Sequence, residues 1–154
     1  MLAKTNKNQG FTIIELLIVL SIAGLILLIM LVAIPTLQRN ARNNQRNQDI
    51  QTILAALSQY ELRNSGNYPS DSSEYLQNAK LSFYDANAIN TLSLTRGDTA
   101  TNSSTESTVL VRNRQKCNPD NSGQSTRQGA GFNDVVALFT IETSNEPAKR
   151  CKEL

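Results

Sequence analysis

Hydrophobic positions divide the first part of this chain into three regimes. Residues 11–34 are apolar with four breaks, Thr12, Glu15, Ser21 and Gly24. A run of about 20 apolar residues is long enough to cross a bilayer as a helix. One that is apolar around its whole circumference is suited to lipid or other helices on every side. Residues 38–49 are the reverse, polar on every face apart from Ala41. With no stripe to bury on their own domain, they read as a solvated connector or a surface that meets neighbours. Apolar residues return as Ile50, Ile53, Leu54, Leu57 and Tyr60, at the i, i+3, i+4, i+7 spacing of one helical face. Together the three regimes predict one long helix over residues 11–64, its last stripe forming the spine of a packed domain. Asn64-Ser65-Gly66 supplies the stop, and Tyr68-Pro69 sets an extended or turning exit.

Beyond that stop the pattern is shorter in range. Asp71 followed by Glu74 is a capping-box variant with aspartate as the cap, and it predicts a short helix to about Ala79. Residues 81–94 are ambiguous, with Phe83, Ile89 and Leu92 available for the core. Residues 99–108 are rich in Ser and Thr and read as an exposed loop. Residues 108–112 and 135–141 are rich in β-branched side chains and predict strands. Between them residues 117–131, dense in Asn, Pro, Ser and Gly, read as a loop, and Cys151 follows the last predicted strand.

Glu15 is the residue that gives the apolar run its meaning. A carboxylate near the centre of a bilayer helix costs about 2.5–3.5 kcal/mol on insertion scales, so it needs a partner. Just ahead of it a short polar segment carrying Lys4 and Lys7 ends in Lys7-Asn8-Gln9-Gly10 and gives way to Phe11-Thr12-Ile13-Ile14-Glu15. An ordinary secretory signal has a shorter apolar core of about 7–15 residues and a small-residue cleavage site, which Val32-Ala33-Ile34-Pro35 matches poorly. A plain membrane anchor satisfies the length and leaves Glu15 unexplained.

The junction Gly10 | Phe11-Thr12-Ile13-Ile14-Glu15 resembles the class III signal of type IV pilins and pseudopilins. The resemblance implies a leader over residues 1–10, cut after Gly10 by a membrane prepilin peptidase, and N-methylation of Phe11. The freed amine would lie one helical turn from Glu15 of its own chain. In a filament of parallel helices Glu15 of one subunit instead neutralises the amine of the next, which is the arrangement the family favours. It further implies an amino terminus on the cytoplasmic side. Charge counting alone leaves that orientation near a tie, because Arg39, Arg42 and Arg46 compete with Lys4 and Lys7.

Pro35 cannot donate to the carbonyl of Leu31 and its ring crowds that turn, while Gly24 costs about 1 kcal/mol relative to alanine. These two residues bracket the weakest part of the helix. In type IV pilin filaments a stretch near a proline is unwound, and the resemblance implies the same here, although Pro35 lies further from the amino terminus than the proline of the commonest pattern. The alternative is a kinked but continuous helix.

The remaining chemistry is sparse. With 154 residues, subtracting the helix and leader leaves about 90 for a head, a size that supports only a small core. Cys117 and Cys151 are candidates for reinforcement in an oxidising compartment, where closing the loop between them contributes roughly 3–4 kcal/mol. Two free thiols are the alternative, and a carboxy-terminal disulfide loop also resembles many type IV pilins. With no histidine and no second cysteine pair, neither a zinc site nor the usual general base is available. No nucleophile elbow, phosphate loop or dinucleotide fingerprint is present, so the chain is read as a non-enzyme with no cofactor and no metal. The segment from Asn118 to Gly123 is similar to the start of a calcium loop, but Gly129 stands where a bidentate glutamate is needed.

Removing Lys4 and Lys7 leaves 13 acidic side chains balanced by an equal number of basic ones, so no global field attracts nucleic acid. Arg112, Arg114 and Lys116 are expected on one strand face as a small basic ridge; without interleaved aromatics, DNA is a partner allowed but not favoured. Asn102-Ser103-Ser104 matches a glycosylation sequon.

The expected fold is α+β and type IV pilin-like. Residues 11–34 form the transmembrane and filament-core half of the helix, 35–64 the extracytoplasmic half, and 65–154 a small head with an antiparallel sheet. The expected function is that of a pilus subunit that polymerises with identical copies, in support of adhesion, twitching motility or DNA uptake. By family resemblance its partners are the prepilin peptidase, an assembly ATPase and a platform protein. It would reside in the cytoplasmic membrane before assembly and in an extracellular pilus afterwards. The alternatives are a pseudopilin of a type II secretion system and a membrane-tethered adhesin or receptor that does not polymerise.

Overall fold

The computed structural model describes residues 10–92, 102–126, 130–131 and 133–154. Lys4, Lys7, Gly129, residues 93–94 and the start of the 99–108 loop lie outside the described residues. The chain divides into two compact units, residues 1–38 and residues 39–154. Helix α1 (Ile13–Arg63) supplies all the regular structure described in the first unit and opens the second. In the first unit the large apolar side chains from Phe11 to Leu37 are exposed.

In the second unit α1 ends where the sequence predicts. Ser65 and Gly66 both take positive φ, 56° and 81°, and the Gly66 N–H donates to the Glu61 carbonyl at 2.9 Å, which closes the last turn. Helix α2 (Ser73–Leu76) is a single turn, shorter than the stretch to Ala79 read from the sequence. Its capping differs too. Asp71 Oδ1 accepts from the Ser73 N–H at 2.9 Å, while Glu74 reaches back past Asp71 to accept from the Ser70 N–H at 3.1 Å. A 3₁₀ turn (Ala86–Ala88) follows.

Six strands among the described residues complete the domain: β1 (Ile89–Leu92), β2 (Val109–Asn113), β3 (Lys116–Asn118), β4 (Asn121–Thr126), β5 (Val135–Ile141) and β6 (Ala148–Glu153). The main sheet has the order β1-β2-β5-β6, antiparallel except for the parallel β1–β2 pair. The layout is α+β, a long N-terminal helix followed by a small sheet domain, as in the type IV pilin-like fold.

Ile50, Ile53, Leu54 and Leu57 pack against Val109, Val111, Val135, Ala137 and Phe139, with Tyr75, Leu76, Tyr84 and Ile89 closing the core. Each fully buried aliphatic or aromatic side chain contributes about 1.5–3 kcal/mol relative to exposure, so this stripe joins helix to sheet. Val136 and Leu138 alternate to the opposite face of β5 and are fully buried as well, which accounts for the unbroken apolar run of that strand.

Three loop expectations are corrected here. Residues 117–131 contain a two-stranded sheet, β3 with β4, around Pro119 and Asp120; Asp120 N–H donates to Asn118 Oδ1 at 3.0 Å. The residues that resemble a calcium loop are therefore a hairpin turn. Cys151 lies within β6, paired opposite Leu138, and not beyond the last strand. Both elements lack an apolar alternation because β4 holds position by backbone pairing and β6 is a charged sheet edge. A Cβ at Gly123 would fall 2.6 Å from Lys149 Cβ, so glycine lets β4 approach β6 closely.

The third correction concerns residues 102–108. Asn102 and Ser104 are buried, not exposed. Asn102 Nδ2 donates to the carbonyls of Phe139 (3.4 Å) and Arg150 (3.2 Å), and Ser104 Oγ lies 2.9 Å from Thr140 Oγ1. A glycan on that amide nitrogen is incompatible with the folded domain.

Candidate assembly site and its polar clamp

The helix begins with a local signal. Thr12, ahead of the first helical residue, accepts the Glu15 N–H on its hydroxyl at 3.3 Å, and the same hydroxyl approaches Glu15 Oε2 at 3.4 Å. Thr12-Ile13-Ile14-Glu15 has the residue pattern of a capping box and makes half of it: the Thr12 hydroxyl accepts the Glu15 N–H, while the Glu15 carboxylate meets that hydroxyl and not the Thr12 N–H. Glu15 is exposed among exposed apolar side chains, and Phe11 is 86 % exposed. A Cβ added at Gly10 would meet nothing within 4 Å, and the same holds for Gly24. Pro35 lies inside α1, which carries through it as one helical element. By length and composition this helix is long and apolar enough to cross a membrane.

A second constellation lies in the other unit, on the helix segment whose polarity suggests a solvated connector. The structure corrects that reading: Arg46 and Asp49 are 1 % and 2 % exposed. Just past β5, Glu142 receives a forked contact from Arg42, with Nε–Oε1 2.9 Å and Nη2–Oε2 2.5 Å, while Arg46 Nη2 reaches Oε1 at 2.7 Å. Asn43 pairs with the Glu142 backbone in both directions, donating to its carbonyl at 2.8 Å and accepting its N–H at 2.9 Å. Arg39 Nη1 donates to the Thr143 carbonyl at 2.9 Å. The Arg46 guanidinium also lies 4.1 Å from the centre of the Phe83 ring. One turn on, Asp49 accepts the N–H groups of Ser82, Phe83 and Tyr84 at 2.7–2.9 Å. Burial of these side chains is tolerated because each makes several polar contacts, with Arg46 Nε the one atom of the clamp left without a hydrogen-bond partner among the described residues.

The N-terminal sequence is matched by one family model. Residues 5–31 carry the prokaryotic N-terminal methylation motif. This motif is the class III signal peptide of type IV pilins, a structural and not an enzymatic feature, and it implies processing by a prepilin peptidase. It spans the Gly10–Phe11 junction, Glu15 and Gly24, and stops short of Pro35. No curated protein matches the chain. No solved structure matches it either.

The motif accounts for one group of sequence-derived residues and leaves the others to the head. Cys117 on β3 and Cys151 on β6 form a disulfide with 5.6 Å between their Cα atoms. The basic ridge does not form. Arg112 is buried in β2, Arg114 sits past the strand with φ 52°, and Lys116 on β3 lies 3.6 Å from Asp134. The clamp escapes a reading of local pattern, since Glu142 is 100 residues from Arg42. One signal does point to it: Arg39, Arg42, Arg46 and Asp49 extend the i, i+3, i+4 stripe of Ile50, Ile53 and Leu57 with polar residues.

Hydrogen bonds from Arg42, joined by those from Arg46, hold the Glu142 carboxyl down at about 2, below its ordinary 4.5. A carboxyl lowered in the folded state adds stability above the unfolded value and loses it as pH falls from about 4.5 towards 2. With the Arg42 side chain 42 % exposed, solvent screening holds the expected contribution to about 1–2 kcal/mol. In denaturant titrations of the micelle-bound chain, Glu142→Gln is therefore expected to be less stable than wild type at pH 6 and to converge with it near pH 2. A constant difference across that window would contradict the assignment.

Proposed function

We propose that the chain is the structural subunit of a type IV pilus. It is cut after Gly10, methylated at Phe11, and polymerised through the apolar half of α1. The observation that carries this reading is Glu15, an acid placed at the start of an otherwise apolar, exposed helix inside a methylation motif. In the bilayer that helix stores the subunit; among copies, Glu15 neutralises the amine of a neighbour's Phe11. An assembly ATPase and a platform protein would drive extraction, and the heads would form the filament surface for adhesion, twitching or DNA uptake.

The test is the intact mass of the subunit in material sheared from the cell surface. A chain beginning at methylated Phe11 in long filaments supports the pilus. The processed chain found only in membranes favours a pseudopilin of a type II secretion system. An uncleaved chain overturns polymerisation in favour of an anchored adhesin or receptor.

A further inference from the structure

A cleft of about 430 Å³ lies within the second unit, between α1 and the segment around α2, and its size suits a small ligand. On α1 it is lined by Thr52, Ala56, Gln59 and Arg63, at the i, i+4, i+7, i+11 spacing of one face. That face is turned away from the stripe of Ile50, Ile53 and Leu57 that meets the sheet. From the α2 side come Glu74, Gln77 and Asn78. The aliphatic part of the lining is alanine alone, Ala55, Ala56 and Ala79, so the space stays open.

The polar groups of the cleft are of two kinds. Glu74 is held in place, its Oε2 accepting the Tyr60 hydroxyl at 2.5 Å and its Oε1 the Ser70 N–H at 3.1 Å. Hydrogen bonds from the Ser70 hydroxyl and from Tyr60 keep its carboxyl below the ordinary range, so it is ionised at neutral pH. Gln59, Arg63, Gln77 and Asn78, by contrast, have side chains with no hydrogen bond or ion pair to another described residue. A carboxamide donates and accepts from one plane, which suits neighbouring hydroxyls, while a guanidinium only donates and suits a carboxylate. Without a large aliphatic anchor the cleft offers little to an apolar ligand or to the centre of a protein interface. The fixed charge of Glu74 opposes a phosphate-rich one.

We propose that this cleft binds a short carbohydrate carrying a carboxylate, with Arg63 taking the carboxylate, Glu74 accepting from a ring hydroxyl, and Gln59, Gln77 and Asn78 pairing with the other hydroxyls. The whole cleft belongs to one subunit, so binding there stands or falls separately from polymerisation.

Titration calorimetry on the full chain, in micelles of a detergent without a sugar head group, tests it with a panel of uronic-acid and sialic-acid di- and trisaccharides, each beside its neutral counterpart. At least one acidic sugar is expected to bind about tenfold or more tightly than its neutral partner. Arg63→Gln is expected to erase that preference and keep the weaker neutral binding. Ala55→Phe, at an exposed position, is expected to fill the cleft and weaken both sugars by about tenfold, with the urea midpoint unchanged. No binding by any sugar of the panel overturns the proposal, as does binding that survives Ala55→Phe. It is also overturned if Ala55→Phe instead disrupts association between copies in the micelle, because the cleft would then be an interface and not a sugar site.

Discussion

Glu15→Ala is expected to leave the chain processed and inserted in the membrane while lowering assembled filaments by about a hundredfold, equivalent to about 2.7 kcal/mol per subunit addition. The substitution removes the acid that would meet a neighbour's amine in the filament. The helix start itself should survive, because Thr12 still accepts the N–H of residue 15. Thr12→Val is the matching control: it removes the cap, worth about 1 kcal/mol, and keeps the acid. Filament counts by electron microscopy, normalised to processed subunit on immunoblots, read both variants. Near-native filament numbers from Glu15→Ala would remove the pairing role.

The second large effect is expected in the head. Replacing both Cys117 and Cys151 with serine should lower its stability by roughly 3–4 kcal/mol, from the entropy regained by a loop whose ends are 34 residues apart. The loss should be concentrated in the β3–β4 hairpin. A two-stranded ribbon is marginal alone, and this one is tied to β6 by the disulfide, by the Cys117 N–H bond to Glu153 Oε1 at 2.7 Å, and by the close approach at Gly123. Urea unfolding of the micelle-bound chain, with limited proteolysis to locate the first cut, measures this. An unchanged midpoint would show that the bridge closes a structure already held by other contacts.

The parts of the fold that are legible in the sequence are those in which apolar spacing does the positioning. Ile50, Ile53, Leu54 and Leu57 announce the buried face of α1, and the run from Val135 to Ile141 is β5 to the residue. The N-terminal methylation motif is legible because a single acid in an apolar run breaks a rule that little else explains. Elements held by polar contacts are not legible. β4 contains no apolar side chain, β6 has Cys151 facing Leu138 among charges, and Asn102 is buried for the bonds it makes to two carbonyls. The segment 39–49 misleads for the same reason: its burial depends on Glu142 and on the backbone of residues 82–84, which hydrophobic periodicity does not register.

The clamp also sets the rule for exchanging heads between subunits of this kind. A graft cut at the end of α1 would transplant β5 and its Glu142 onto a helix lacking Arg42, Asn43 and Arg46, leaving the carboxylate facing foreign side chains. The natural cut lies between Pro35 and Arg39. The donor's polar helical turns then travel with its sheet, and the recipient contributes only the apolar half.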